Sequence, residues 1–176
     1  MRKFAALLVL FFSLQSCNSI LFTSAQPKDS PVLKEFPENM LGTFVSEDID
    51  TLVVASTSFI FRGGDPVQLS GDITPKDCAL KKMDDWYIIS LQDEEEWEVF
   101  PIKVKDNDNF SVYFIDMQED EEKAIIADLQ KDLQVKKVYN DDGSFDHYLI
   151  NPGKKQFKRL LKKNIFSEEM PFKRVD

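Results

Sequence analysis

The chain has 176 residues, of which 43% are hydrophobic and 30% are charged, and it contains only 6 Gly and 8 Pro. These values are typical of one globular domain and exclude a collagenous or wholly disordered chain. Lys and Arg number 22 against 31 Asp and Glu, which gives a net charge of -9. Nucleic acid is therefore not an expected partner, because phosphate binding requires a basic surface. With two Cys and one His, we also expect no cofactor and no metal.

The N-terminus has the pattern of a signal peptide. Arg2 and Lys3 precede an uninterrupted apolar run from Phe4 to Phe12. With Ser13 and Leu14 the stretch has 11 residues. As a helix it would rise only about 16 Å, roughly half of the hydrocarbon core of a bilayer. The run therefore predicts a cleaved signal peptide over residues 1–16 and not a membrane span.

The signal peptide ends in Leu14-Gln15-Ser16-Cys17, which resembles the lipobox of bacterial lipoproteins. The resemblance implies that Cys17 becomes the first residue and carries acyl chains such as palmitate, which anchor it stably in a membrane. Asn18, where an Asp would mean retention in the inner membrane, favours the outer membrane of the cell envelope. The alternative is ordinary secretion with cleavage after Thr23-Ser24-Ala25, which would remove Cys17.

Residues 17–38 are expected to form the acylated Cys and a flexible tether, because they contain three Pro and no sustained hydrophobic period. A flexible chain of about 20 residues has an r.m.s. reach of roughly 25 Å. Residues 39–176 are expected to form a single domain.

The domain begins with short aromatic and β-branched runs separated by turn residues. Alternation of apolar and polar residues, as at Phe110, Val112 and Phe114, predicts strands with one buried face. Pro101 indicates a sheet edge or a bulge. The predicted strands cover residues 42–47, 51–56, 58–62, 67–70, 78–82, 86–91, 97–104 and 110–115, joined as hairpins in an antiparallel meander.

Two helices follow in the sequence pattern. Asp116 and Glu119 resemble a capping box, so we expect a helix from 117 to about 133 with its apolar stripe against the sheet. A hairpin over 135–150 comes next, and a second helix is expected from 151 to about 163. Residues 172–175 could add a last extended segment. The predicted fold class is α+β, an antiparallel β meander, sandwich or barrel-like, of about eight to ten short strands with two packed helices.

An acidic run surrounds one of the two tryptophans. Trp97 among carboxylates is a candidate anchor for a basic partner, whereas the alternative is a solvated loop that protects sheet edges. The spacing does not match an EF-hand loop, so a calcium site is not expected. The candidate interaction residues are Asp93, Glu94, Glu95, Glu96, Trp97 and Glu98.

The second predicted helix is basic and amphipathic. Its cations could contact anionic lipid head groups. The favoured alternative is a solvated face turned toward the acidic body, because Phe157, Leu160 and Leu161 must cover the sheet. The candidate lipid contacts are Lys154, Lys155, Lys158, Arg159, Lys162 and Lys163.

No known catalytic motif is present in the sequence, and we do not expect an enzyme. Cys78 is interpreted as a small buried hydrophobe. His147 is interpreted as an ordinary strand residue, because Asp146 and Tyr148 would lie on the opposite strand face and orient it poorly.

The 15 Phe could form a core or line a cavity for a small apolar ligand. Gly42-Thr43-Phe44 is similar to the G-x-W start of lipocalins, with Phe in place of Trp. By exclusion, the sequence favours a non-enzymatic envelope lipoprotein that acts as a protein-interaction module, with the membrane and an envelope protein as partners. The alternatives are a lipocalin-like carrier of a small apolar ligand and an acidic inhibitor or immunity protein for a basic enzyme.

Overall fold

The computed structural model of the chain describes residues 19–64, 68–115 and 117–175. The predicted signal peptide, Cys17 and the capping residue Asp116 lie outside these residues. In the described part, no helix is long and apolar enough to cross a membrane.

The fold is α+β, with twelve described strands and two helices, and a single 3-10 turn at Glu38–Met40. Every strand and both helices expected from the sequence are present, with bounds shifted by a few residues. The strands are β1 (Ile20–Phe22), β2 (Gly42–Ser46), β3 (Thr51–Val54), β4 (Ser58–Arg62), β5 (Gln68–Asp72), β6 (Cys78–Met83), β7 (Trp86–Asp93), β8 (Glu96–Val104), β9 (Asn109–Phe114), β10 (Val135–Tyr139), β11 (Phe145–Ile150) and β12 (Glu168–Arg174), and the helices are α1 (Glu119–Leu129) and α2 (Lys154–Lys162).

The strands form one mixed sheet that divides at β8. On one side, β8 pairs along its length with β7, which pairs with β6. On its other side, β8 pairs with β1 at Trp97 and with β9 from Ile102 onward. One branch therefore runs β1-β11-β10, and the other runs β9-β12-β2-β3-β4-β5.

The expectation of a purely antiparallel meander is wrong at two places. The short strand β1 pairs in parallel with β11, with Ile20 opposite Tyr148. The last strand, β12, does not extend an edge but lies between β9 and β2. In the described residues, β5 and β6 meet only at a bridge from Thr74 to Cys78, so the sheet is not closed into a barrel.

Two prolines lie inside paired strands, each at a position where the strand is paired on one side only. Pro101 pairs with Ile88 of β7, one residue before β9 joins the other side of β8. Pro171 pairs with Ser111 of β9, one residue before β2 joins β12. A residue without an N–H fits where one side of the strand lacks a partner, as expected for Pro101.

Two apolar clusters lie on opposite faces of the central strands. The helix-side cluster packs α1 and α2 through Leu129, Phe157 and Leu160 against the face that carries Ile88 and Val99. The pocket-side cluster is enclosed by the curved branch β9-β12-β2-β3-β4-β5 together with β6, β7 and β8. Alternation along each strand sends successive side chains to these two clusters in turn.

Residues 19–38 pack on the body and differ from the expected flexible tether. Phe22 in β1 is only 1% exposed and belongs to the helix-side cluster. The buried Lys81 amine donates hydrogen bonds to the carbonyl oxygens of Ala25, at 2.9 Å, and Pro27, at 3.1 Å. The backbone N–H of Gln26 donates to Ser90 Oγ at 3.0 Å. Tertiary contacts therefore order a segment that has no periodic pattern of its own.

Candidate functional site

The pocket-side cluster contains a cavity of about 150 Å³ whose lining side chains are all apolar. Aliphatic side chains and Met complete the lining around a set of aromatic rings. The phenylalanines of the lining are Phe36, Phe59, Phe61, Phe100, Phe110, Phe114 and Phe172. An apolar cavity of this size can hold a molecule about as large as benzene. We call this cavity the pocket.

Strand alternation places the pocket residues. On β9, Phe110, Val112 and Phe114 all face the pocket, whereas the intervening Tyr113 packs with the helix-side cluster. Neighbouring strands add rings in register, because Phe172 lies opposite Phe110 and their ring centroids are 5.5 Å apart. The alternation seen in the sequence of β9 therefore marks the face that lines the pocket.

One end of the pocket is closed by the segment before β2. Phe36 and Met40 line the pocket and are 3% and 1% exposed. The backbone N–H of Phe36 donates to the carbonyl oxygen of Ser56 at 2.8 Å, and its ring lies 6.4 Å from that of Phe59. No pattern in the sequence predicts this role, because the segment lacks strand or helix periodicity.

The other end of the pocket is open. Phe61, Phe100, Phe114 and Met170 are only partly buried there, and Leu69 is 39% exposed. These residues come from β4, β8, β9, β12 and the edge strand β5. We call this part the open end.

Gly71 allows β5 to lie close to the pocket wall. A Cβ atom at this position would lie 2.8 Å from Phe59 Cε1 and 3.3 Å from Cys78 Sγ. Cys78 is 1% exposed, and burial, with smaller effects of Asp72 and Asp77, raises the pKa of its thiol to about 11. Cys78 is therefore a buried apolar wall residue, because a thiol with such a pKa stays protonated and is a poor nucleophile.

The predicted acidic site around Trp97 is not assembled as expected. Trp97 is partly buried in the helix-side cluster. Glu96 and Glu98 alternate to the opposite face of β8. The structure instead brings the turn Asp93–Glu96 together with Asp146 and His147 in a shallow groove.

His147 lies between two carboxylates in this groove. Its Nδ1 is 3.0 Å from Asp146 Oδ2, and its Nε2 is 2.6 Å from Glu96 Oε2. The expectation that Asp146 would orient the ring poorly is wrong, because its carboxylate lies within hydrogen-bonding distance of Nδ1 although the two residues are neighbours in β11. Among the described residues, no group of three or more His, Cys, Asp or Glu side chains is arranged to hold a metal ion.

The basic residues of α2 divide into two groups. Lys158 pairs with Asp84 at 2.8 Å, Arg159 pairs with Asp132 at 3.4 Å, and Lys163 contacts Asp128 and Asp132. These pairs agree with the interpretation of a helix turned toward the acidic body. Lys154, Lys155 and Lys162 are exposed and make no ion pair with the described residues. Lipid contact by these three cations stays a prediction.

Comparison with known proteins does not add a relative. No family model matches the chain, and no curated protein or solved structure gives a significant match.

Proposed function

We propose that this chain is a lipid-anchored binding protein that holds a small apolar molecule or a hydrocarbon chain in the pocket. The observation that carries the proposal is a wholly apolar cavity with one open end, in a sheet whose strands direct phenylalanine rings into it. This choice places the carrier hypothesis ahead of the interaction module that the sequence alone favoured. The curved branch of the sheet, which is not closed into a barrel, would form the wall of the binding site.

Energetics support a ligand in this cavity. A cavity enclosed in a protein core costs about 24 cal/mol per Å³, so about 3.6 kcal/mol is an upper limit for a volume of about 150 Å³ that water can enter at one end. A ligand that fills the space recovers dispersion contacts and removes its own apolar surface from water. Net protein stability is only about 5–15 kcal/mol, so this contribution is large.

The proposal is one of binding and not of catalysis. General acid–base or nucleophilic chemistry needs polar groups that converge on the bound molecule. Every side chain that lines the pocket is apolar, so the pocket offers a ligand burial and shape but no proton donor, acceptor or nucleophile.

Placement at a bacterial membrane through acylated Cys17 forms the second part of the proposal, and it rests on the lipobox. If Cys17 is acylated, the anchor lies close to the body, because Ser19 O already accepts a hydrogen bond from Tyr148 N at 2.9 Å. Two residues span at most about 7 Å, much less than the roughly 25 Å of the expected tether. The body would then sit against the membrane surface, which we favour as the outer membrane.

The interaction-module and inhibitor hypotheses rank behind the carrier. An acidic blocking face built on Trp97 would need the tryptophan and the carboxylates on one surface. Trp97 is instead partly buried against the helix-side cluster, on the face of β8 opposite to Glu96 and Glu98. Recognition of a basic envelope protein by the acidic groove stays a prediction.

Calorimetry with straight-chain alcohols tests the proposed binding. The mature chain, residues 17–176 without acylation, retains every residue of the described fold. We expect affinity for 1-alkanols to rise with chain length until the pocket is full, since each buried CH₂ contributes about 0.8 kcal/mol. V112F narrows the pocket and should weaken binding at least tenfold. V45F is the matched control, because Val45 faces away from the pocket, and it should bind as the unmodified chain does. Absence of binding, or equal binding by both variants, would contradict the proposal.

A further inference from the structure

The open end of the pocket combines aromatic rings with carboxylates, and this combination specifies the head group of a ligand. The inference rests on the proposed function and names the ligand class for the same pocket. A polar head group cannot enter the apolar interior without losing its hydrogen bonds to water. An amphiphile must therefore leave its head at the open end, where the surrounding side chains decide which charge is accepted.

Three partly buried phenylalanine rings lie at the open end. Phe100 and Phe114 form an edge-to-face pair with centroids 5.6 Å apart and an interplanar angle of 70°. Phe61 lies on strand β4, and its ring centroid is 6.3 Å from that of Phe172. The faces of aromatic rings attract cations, and quaternary ammonium groups are the ligands most often recognised in this way.

Carboxylates continue the pocket-facing side of three strands beyond the rings. Glu98 is the next residue on the same face of β8 after Phe100, and Asp93 follows Leu91 on β7 in the same way. Glu168 of β12 lies directly opposite Phe114. All three carboxylate residues are exposed.

The electrostatics at Glu98 favour a positive group beside it. Partial desolvation and, to a smaller extent, the neighbouring Asp93 raise the pKa of its carboxyl. A positive group placed nearby would reverse part of this effect and stabilise the ionised form.

Basic residues on the pocket-facing side lie away from the open end. Arg174 is at the closed end, where its guanidinium donates to the carbonyl oxygens of Leu41 and Asn39. Lys82 lies over the Tyr87 ring, 4.9 Å from its centroid. Arg62 follows Phe61 in β4 and alternates to the other face of the sheet.

The turn between β5 and β6 adds one cation in an acidic setting. Lys76 is exposed there and is followed directly by Asp77, and Asp72 ends β5. Both aspartates contribute to the raised pKa of the buried Cys78 thiol. This turn follows Gly71, which lies opposite Phe59 on the side closed by Phe36. The carboxylates of Asp93, Glu98 and Glu168 therefore make the charge at the open end predominantly negative in the part of the chain that the structure describes.

We propose that the ligand is an amphiphile with one hydrocarbon chain and a cationic head, an alkylammonium compound. The chain fills the pocket, and the ammonium group lies between the Phe100 and Phe114 rings and the carboxylates of Glu98 and Glu168. A fatty acid of the same length would place a carboxylate among carboxylates, so the site discriminates against it by charge repulsion.

Three probes of equal chain length, matched to the volume of the pocket, test the head group: hexyltrimethylammonium, 1-hexanol and hexanoate, titrated into the mature chain by calorimetry. Exposed charge pairs and cation–π contacts each add modestly to affinity. We therefore expect the ammonium compound to bind roughly threefold to tenfold more tightly than the alcohol, and hexanoate to bind most weakly. Added salt should reduce the difference.

The double variant E98Q/E168Q should bring the ammonium affinity down to that of the alcohol and leave the alcohol affinity unchanged. E121Q, on the exposed surface of α1 behind the sheet, is the charge-matched control and should change neither affinity. Hexanoate binding as tightly as the ammonium compound, or an unchanged preference in E98Q/E168Q, would overturn the head-group assignment alone. Failure of all three probes, the neutral alcohol included, would overturn the proposed function as well.

Discussion

Phe100 of β8 and Phe114 of β9 stand side by side across the strand pair, with ring centroids 5.6 Å apart, at the open end of the pocket. Their positions follow from the register that pairs Ile102 with Val112, two residues further into the pocket. A slip of either strand by one residue would turn its own ring to the helix side of the sheet and separate the pair. The pocket is thus a property of the strand register as well as of its lining residues.

Closure of the pocket by Phe36 predicts a stability effect. F36A removes a ring that is 3% exposed and should lower the free energy of unfolding by about 3–5 kcal/mol. Urea denaturation followed by circular dichroism measures the change. E35A, in the same segment but exposed, is the control and should cost less than about 1 kcal/mol. A loss of under 1 kcal/mol in F36A would show that the segment does not close the pocket.

The close approach of β5 predicts that Gly71 cannot be replaced freely. G71A places a methyl group against Phe59 and Cys78 and should destabilise the protein by about 1–3 kcal/mol. Gly64 is the matched control, since a Cβ there meets nothing within 4 Å, and G64A should lie within about 1 kcal/mol of the unmodified chain. Thermal unfolding of the two variants side by side provides the comparison, and equal midpoints would contradict the packing described for β5.

Lys81 predicts a pH effect at the alkaline end. Burial lowers the pKa of its amine in the folded state below the usual 10.5. Between the folded and unfolded pKa values the unfolded chain binds more protons, so the Lys81 contribution to stability rises as the pH increases toward 10.5. K81M removes the titrating amine. The urea midpoint of the unmodified chain minus that of K81M should therefore increase with pH over this window, and a constant or falling difference would contradict it.

Glu169 predicts a pH effect on stability at the acidic end. Hydrogen bonds from Lys105 and then from Ser111 lower the pKa of its carboxyl below 4.5 in the folded state. The stabilisation is therefore complete above the unfolded pKa and is lost as the pH falls through the folded one. E169Q should unfold with a weaker pH dependence below about pH 4.5. E47Q, with an exposed carboxylate in the β2–β3 turn, should retain the dependence of the unmodified chain. Identical acid profiles for E169Q and the unmodified chain would exclude this role.

Local patterns predicted most of the secondary structure. Strand β9 alternates Phe110, Val112 and Phe114 toward one side, and the hairpin of β10 and β11 carries an Asp142-Gly143 turn. Such signals lie within a few neighbouring residues and do not depend on the rest of the chain.

The long-range features could not be predicted in the same way. Strand β1 has only three residues, and its partner Tyr148 is more than 120 positions away in the chain. The position of β12 between β9 and β2 depends on the whole sheet, because Pro171 and two glutamates give that strand a weak pattern. The fifteen Phe indicated a core or a cavity, and only the curvature of the sheet distinguishes the two.

The acidic run around Trp97 shows that residues adjacent in the sequence need not share a surface. Trp97 is flanked by Glu96 and Glu98 in the sequence, but neighbours in a strand point to opposite faces. The tryptophan therefore joins the helix-side cluster, while Glu98 continues the pocket-facing side of β8. The same alternation that separates these residues brings Glu98 close to Phe100 at the open end.

The most direct test of the account is to locate a bound hydrocarbon chain by nuclear magnetic resonance. Isotope-filtered nuclear Overhauser spectra of the mature chain with 1-hexanol report which side chains lie near the alcohol. The account predicts contacts from the chain protons to the rings of Phe100, Phe110 and Phe114. Contacts confined to other surfaces, or none at saturating alcohol, would contradict the claim that the pocket is a ligand site.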